Sequence, residues 1–174
     1  NESKEIYNLI IDNGKQFNIS NCGMLAMDTM RMESGYLHWG HDISPEENQY
    51  QAGLQFTISY KKNIDFIGKE ALLRIRDNKI DKKLVMITLN DSKPGVPLLL
   101  HDEPIYKDNE IIGRTTSGNF SFNFNKNLAF GYVNSKFLLK ENITDQKLFI
   151  EVEKKKYPAT VITKPLNSKN IRLL

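Results

Sequence analysis

The chain has 174 residues, of which 40% are hydrophobic and 26% charged, and its formal net charge is +3. These proportions belong to one globular domain or two small lobes, and they exclude a disordered, collagenous or coiled-coil chain. No apolar run approaches the roughly 18 residues that a membrane-spanning helix needs, and no signal peptide is visible.

Taken in chain order, residues 3–12 place Ile6, Leu9 and Ile10 on one helical face, with Ser3 as N-cap and Asn13-Gly14 as the stop. A second helix is expected within residues 22–35, where Asp28 and Arg31 are spaced to pair and Gly35 is a natural C′ residue. Residues 36–48 read as a loop rich in aromatics and histidine. Residues 51–60 alternate, with Leu54, Phe56 and Ile58 on one face, which predicts a half-buried strand. A short third helix follows Asp65 and runs to about Arg76.

After residue 80 the signals become strands and turns. Residues 84–89, the hairpin 104–106/110–113, the Phe120-Phe122-Phe124 alternation, and residues 128–133, 147–152 and 157–163 make six or so short strands. Their spacing predicts a small antiparallel barrel or sandwich behind an α+β piece.

The residues offer few chemical signatures. The 24 basic residues face 21 acidic ones, and 19 of the 24 are Lys and only 5 Arg, which argues against specific nucleic-acid readout. The single Cys22 forbids an internal disulfide, fits a reducing, cytoplasmic setting, and reads as a small buried side chain. His38, His41 and Asp42 are close in sequence, yet His-x-x-His needs further partners to bind metal. Trp39 either stacks on a planar ligand or anchors its loop against the core. The three phenylalanines read as the inner face of a strand. Thr115-Thr116-Ser117-Gly118 reads as a turn, with or without hydroxyls offered to an anion. No phosphate-binding glycine loop, nucleophile elbow or cysteine cluster is present.

Several segments are informative together. They are Asp28–Tyr36 (DTMRMESGY), His38–Ile43 (HWGHDI), Tyr50–Leu54 (YQAGL), Asp65–Leu72 (DFIGKEAL), Gly113–Gly118 (GRTTSG), Leu128–Val133 (LAFGYV) and Tyr157-Pro158-Ala159 before Pro165. Their order and spacing, over nearly the whole chain, resemble the C-terminal half of the glycine-cleavage T-protein (aminomethyltransferase) superfamily. The 38–43 loop, Phe66–Lys69 and Tyr157–Ala159 resemble the folate-binding region of dimethylglycine and sarcosine dehydrogenases more closely than the T-protein itself.

The resemblance implies an α+β fold. Residues 1–80 would be the end of a folate-binding aminomethyltransferase lobe, and 81–174 a C-terminal antiparallel β-barrel. It implies tetrahydrofolate as cofactor and transfer of a one-carbon unit to give 5,10-methylenetetrahydrofolate. The family's catalytic aspartate and pterin-holding glutamate would fall before Asn1, so no catalytic residue is expected here. The chain, which opens at Asn1 directly into a helix, would be part of something longer. Its expected partners are folate and the N-terminal half of the enzyme or a partner subunit, with neither nucleic acid nor membrane. FAD is left open for an N-terminal domain outside the chain.

The cofactor-side residues implied are Phe56, Arg31, Glu33 and Trp39. Phe56 matches a family position that lies against folate, while its own alternation says core. Arg31 and Glu33 would form a buried ion pair near the channel or a structural pair. Met27 stands where the T-protein carries a folate-contacting Arg, which fits the dehydrogenase branch. Gly118 matches the glycine of the family's Thr-Ser-Gly turn, and residues 167–174 offer no match for its C-terminal Tyr. The alternative reading is a non-catalytic structural or docking barrel of the same superfamily.

Overall fold

The structure, a computed structural model, describes residues 2–62, 64–138, 147–162 and 166. Thr163, Pro165 and residues 167–174, which the sequence-based expectations include, lie outside the described residues. Three helices come first: α1 (Glu2–Gly14), α2 (Met24–Glu33) and α3 (Lys69–Asp77). Six strands follow: β1 (Lys82–Leu89), β2 (Pro104–Lys107), β3 (Glu110–Ser121), β4 (Lys126–Asn134), β5 (Leu148–Val152) and β6 (Lys155–Ile162). The strands close an antiparallel barrel in the order β1-β4-β3-β2-β5-β6. The α+β class and the barrel are therefore as expected.

The barrel is built by alternation. Along β4, Ala129, Gly131 and Val133 alternate with Leu128, Phe130 and Tyr132, and all six are buried. Ala129 and Val133 join Ile87, Leu89, Ile105, Ile112, Leu148 and Ile150 in the main core. The bulkier Leu128 and Phe130 pack outside it with Met86 and Met32 of α2. Small residues thus face a narrow interior that side chains alone must fill, while large ones seat the helix. That is why this strand reads as a continuous apolar run.

Helix α2 lies against β3 and β4. It ends as its sequence predicts: Gly35 adopts φ 79°, its amide donates to the Met32 carbonyl (3.1 Å), and the Tyr36 amide donates to that of Arg31 (2.8 Å). This paired closure uses the left-handed conformation that glycine adopts without a Cβ clash.

Several expectations fail for local reasons. Residues 51–60 are turns and one 3₁₀ turn, Gln55–Thr57, and Phe56 is 55% exposed. The Thr57 hydroxyl bonds back to the Leu54 carbonyl, a local alternative to strand pairing. Helix α1 does end at Gly14, but without the positive φ expected there: Gly14 has φ −79°, a 3₁₀ turn continues through Phe17, and Asn18 takes the left-handed conformation. The phenylalanine alternation breaks because β3 ends at Ser121: Phe120 is buried, but Phe122 stands in the following turn, 74% exposed. Cys22 is exposed rather than buried. Gly118 lies in a strand, not a turn. A Cβ there would come within 2.6 Å of Leu99 Cβ, so close approach, not backbone conformation, explains the glycine.

Candidate functional site

The polar centre of the molecule is Asp42, which has no exposed surface. Its Oδ2 accepts from Arg31 Nη1 (2.7 Å) and the His38 amide (2.8 Å), and its Oδ1 from Thr116 Oγ1 (2.6 Å) and Ser117 Oγ (2.8 Å). Adjacent strand residues normally point to opposite faces. Here β3 carries a bulge against β4 between Thr115 and Ser117, where Thr116 has no register partner. An extra residue in one strand re-aims side chains, and both neighbouring hydroxyls reach one carboxylate oxygen. The anion that these hydroxyls serve is thus the chain's own aspartate.

Arg31 is equally engaged. Its Nε donates to Asp28 Oδ1 (2.5 Å), Nη1 also to the Tyr36 carbonyl (3.2 Å), and Nη2 to Ser117 Oγ (2.9 Å). The Asp28–Arg31 spacing is the pair read from the sequence. An Arg31–Glu33 ion pair does not form, because positions two apart on a helix point in different directions. Glu33, 2% exposed, instead accepts from Ser121 Oγ (2.5 Å) and Asn123 Nδ2 (2.8 Å). Tyr132 donates its hydroxyl to the Asp42 carbonyl (2.9 Å). Burial, then the Glu47 and Asp42 carboxylates, pushes that phenol well above the usual range.

This network ties the 36–48 loop to α2 and to the barrel. It engages every acceptor position of Asp42, so the carboxylate has no metal-binding role here. Among the described residues no group of three or more His, Cys, Asp and Glu is arranged to hold a metal ion. The three histidines nevertheless gather: His38 and His41 stack at 4.6 Å between ring centroids, and His41 lies 6.1 Å from His101.

Several cavities border the network. One, of about 530 Å³, has Met24, Met27 and Leu100 as walls and Arg31, His38 and His41 at its edge. A second, of about 420 Å³, holds Glu33. A third, of about 490 Å³, holds Phe56 beside Tyr36, Ile43 and Phe130. Trp39 lines none of these. It is 64% exposed, so it does not anchor its loop against the core; its backbone bridges to Ile43 instead. The structure thus distributes Arg31, Glu33, Phe56 and Trp39 around the loop rather than into one pocket. Sequence reasoning missed Asp42, Thr116 and Ser117 as one unit. The bulge that unites them has no signature of its own, although each segment was singled out.

Fold and site define a closed six-stranded barrel with a helical region pinned to it by a buried arginine–aspartate network. Two family models match the chain: "GCVT N-terminal domain" over residues 1–62 and "Glycine cleavage T-protein C-terminal barrel domain" over 82–167. The chain belongs to the glycine cleavage T-protein family. It is 34% identical to human mitochondrial dimethylglycine dehydrogenase across 95% of this chain and 18% of that protein. It is 37% identical to an aminomethyltransferase of Symbiobacterium thermophilum, across 74% of this chain and 33% of that one. An aminomethyltransferase of Thermoanaerobacter pseudethanolicus is 31% identical over 97% of this chain and 43% of its own length. The fold matches the crystal structure of the glycine cleavage system aminomethyltransferase T from Bartonella henselae. That match has a TM-score of 0.80 at 22% identity and covers 93% of this chain and 44% of the other. The chain therefore spans less than half the length of each of these relatives. Among the described residues no helix is long and apolar enough to cross a membrane.

Proposed function

We propose that this chain is the folate-side C-terminal portion of a tetrahydrofolate-dependent aminomethyl transferase, of the dimethylglycine or sarcosine dehydrogenase type. The observation that carries the reading is the likeness to dimethylglycine dehydrogenase over 95% of the chain, alongside aminomethyltransferases. Residues 1–80 would close a folate-binding lobe, and 81–174 would form the supporting barrel. Phe56 and Trp39, both exposed and joined through the Ile43 loop, would offer flat faces to the folate ring system. Arg31 would hold that loop in place, while Glu33, in a separate cavity, would brace the end of α2 against β3 rather than touch folate. No residue of this chain is assigned the proton chemistry of the transfer. That work falls to a carboxylate outside it, as does any flavin chemistry.

The reading is tested by turnover. The 174 residues alone should not accelerate formation of 5,10-methylenetetrahydrofolate from tetrahydrofolate and an aminomethyl donor, whose carbon is already at the oxidation level of the product. Acceleration by the chain alone would refute the placement of the catalytic carboxylate. A docking barrel without folate chemistry is the competing reading, and it predicts no turnover even when the chain is joined to the N-terminal half of an aminomethyltransferase relative.

A further inference from the structure

The cavity of about 420 Å³ between α2, the 95–99 loop and the end of β3 has an unusual polarity. Its walls are mostly apolar, with Leu25, Met30, Leu98, Phe120 and Phe122 among them. The polar groups set into these walls include two that need donors. Glu33 is 2% exposed, and its two oxygens receive one hydrogen bond each, from Ser121 and Asn123, both neutral. No Lys, Arg or His among the described residues pairs with it. A carboxylate offers about four acceptor sites, so each oxygen keeps unused capacity. Burying such a charge without a counter-charge is costly.

The second group is Asn127, 1% exposed. Its Nδ2 donates to the Pro97 carbonyl (3.0 Å), which can only accept, and this fixes Oδ1 as the other atom. That oxygen accepts no hydrogen bond among the described residues. The cavity therefore presents a buried anion and an orphaned neutral acceptor, and both call for N–H donors. Beside them Phe120 and Phe122 pack edge to face, centroids 5.1 Å apart, and their rings suit a cation.

We propose that this cavity binds a small ligand with a planar cationic nitrogen group, such as an amidinium, guanidinium or protonated aminoheterocycle, carried on an apolar ring. The fork of parallel N–H donors would meet Glu33, since bidentate donation is the strongest pairing a carboxylate makes. The ring would lie among Leu25, Leu98 and the phenylalanines. The proposal does not depend on the folate reading, and its probe is not a folate.

The test is a titration of the full chain with benzamidine, followed by amide chemical shifts, with benzoate as the charge-reversed control. Benzamidine should bind saturably and move the signals of Phe120, Phe122, Asn123 and Asn127, and benzoate should not. Glu33→Gln should weaken benzamidine by about tenfold or more, the scale of a hydrogen bond to a charged group. Leu98→Trp, at a wall residue 60% exposed, should block the cavity without touching Glu33. This second variant decides the matter if Glu33→Gln does not fold. Absence of benzamidine binding, equal binding of benzoate, or undiminished binding in a folded Glu33→Gln or in Leu98→Trp would overturn the proposal.

Discussion

The barrel and the helical region use similar side chains to opposite effect. In the barrel, Ile87, Ile105, Leu148 and Ile150 have at most 1% of their surface exposed. In α1, Ile6, Leu9 and Ile10 are 54–63% exposed, and the helix has no buried residue. Helix α3 has none either. Only α2, through Met32, Arg31 and Glu33, is drawn into the packing. A barrel closes on itself and completes its own core, whereas an amphipathic helix needs a surface supplied from elsewhere. Stability in this chain should therefore reside in the barrel and in the network that pins α2 and its loop to it.

The sharpest way to break that division is at the pin. Asp42→Ala leaves the Arg31 guanidinium, whose side chain is 14% exposed, without its main partner. Removing one member of a buried ion pair costs about 3–5 kcal/mol. The cost should appear as a lowered urea midpoint, and Arg31→Met in the same chain should restore part of it. A double-mutant cycle measures this. A cost no larger than that of a surface substitution would mean that the network does not pin α2.

Next in size is the contrast between the two regions. Ile105→Ala should cost about 2–5 kcal/mol, the range for emptying a packed core site. Leu9→Ala in α1 should stay within about 0.5 kcal/mol, as exposed positions do. Comparable values from the two denaturation curves would mean that α1 is packed. A smaller effect is expected at the end of α2. Gly35→Ala forces a Cβ into the left-handed region and should cost about 1–2 kcal/mol by thermal unfolding.

The smallest effect is pH-dependent. Burial raises the Glu47 pKa, but hydrogen bonds from Lys82 and Ser44 outweigh it, and the net shift is below the ordinary 4.5. A depressed carboxylate stabilises the fold above its unfolded value and loses that contribution as pH falls through the folded value. Stability should thus decline on acidification below about pH 4.5, and Lys82→Met should flatten the decline. An unchanged acid limb in the variant would sever Glu47 from the effect.

How much of the fold was legible in the sequence depended on whether the signal was local. Short apolar runs at regular spacing marked β1, β4, β5 and β6 within a few residues, because a closed barrel buries its strands. Gly35 closed α2 because its backbone requirement is local. Residues 51–60 misled because alternation also arises by chance in a turn segment that bonds to itself, as Thr57 does. Trp39 and Phe56 misled on burial, since composition says nothing of which surface a ring meets. The Asp42 network could not be read at all. It joins positions 31, 42, 116 and 117 across up to 86 residues through a bulge. Family resemblance supplied the fold but not that network.

The folate assignment is tested most directly by equilibrium binding. Joined to the N-terminal half of an aminomethyltransferase relative, the chain should bind tetrahydrofolate at a single saturable site by calorimetry. Phe56→Ala and Trp39→Ala should each weaken that binding while leaving the unfolding midpoint unchanged. Absence of binding in the joined protein, or binding indifferent to both substitutions, would contradict the assignment.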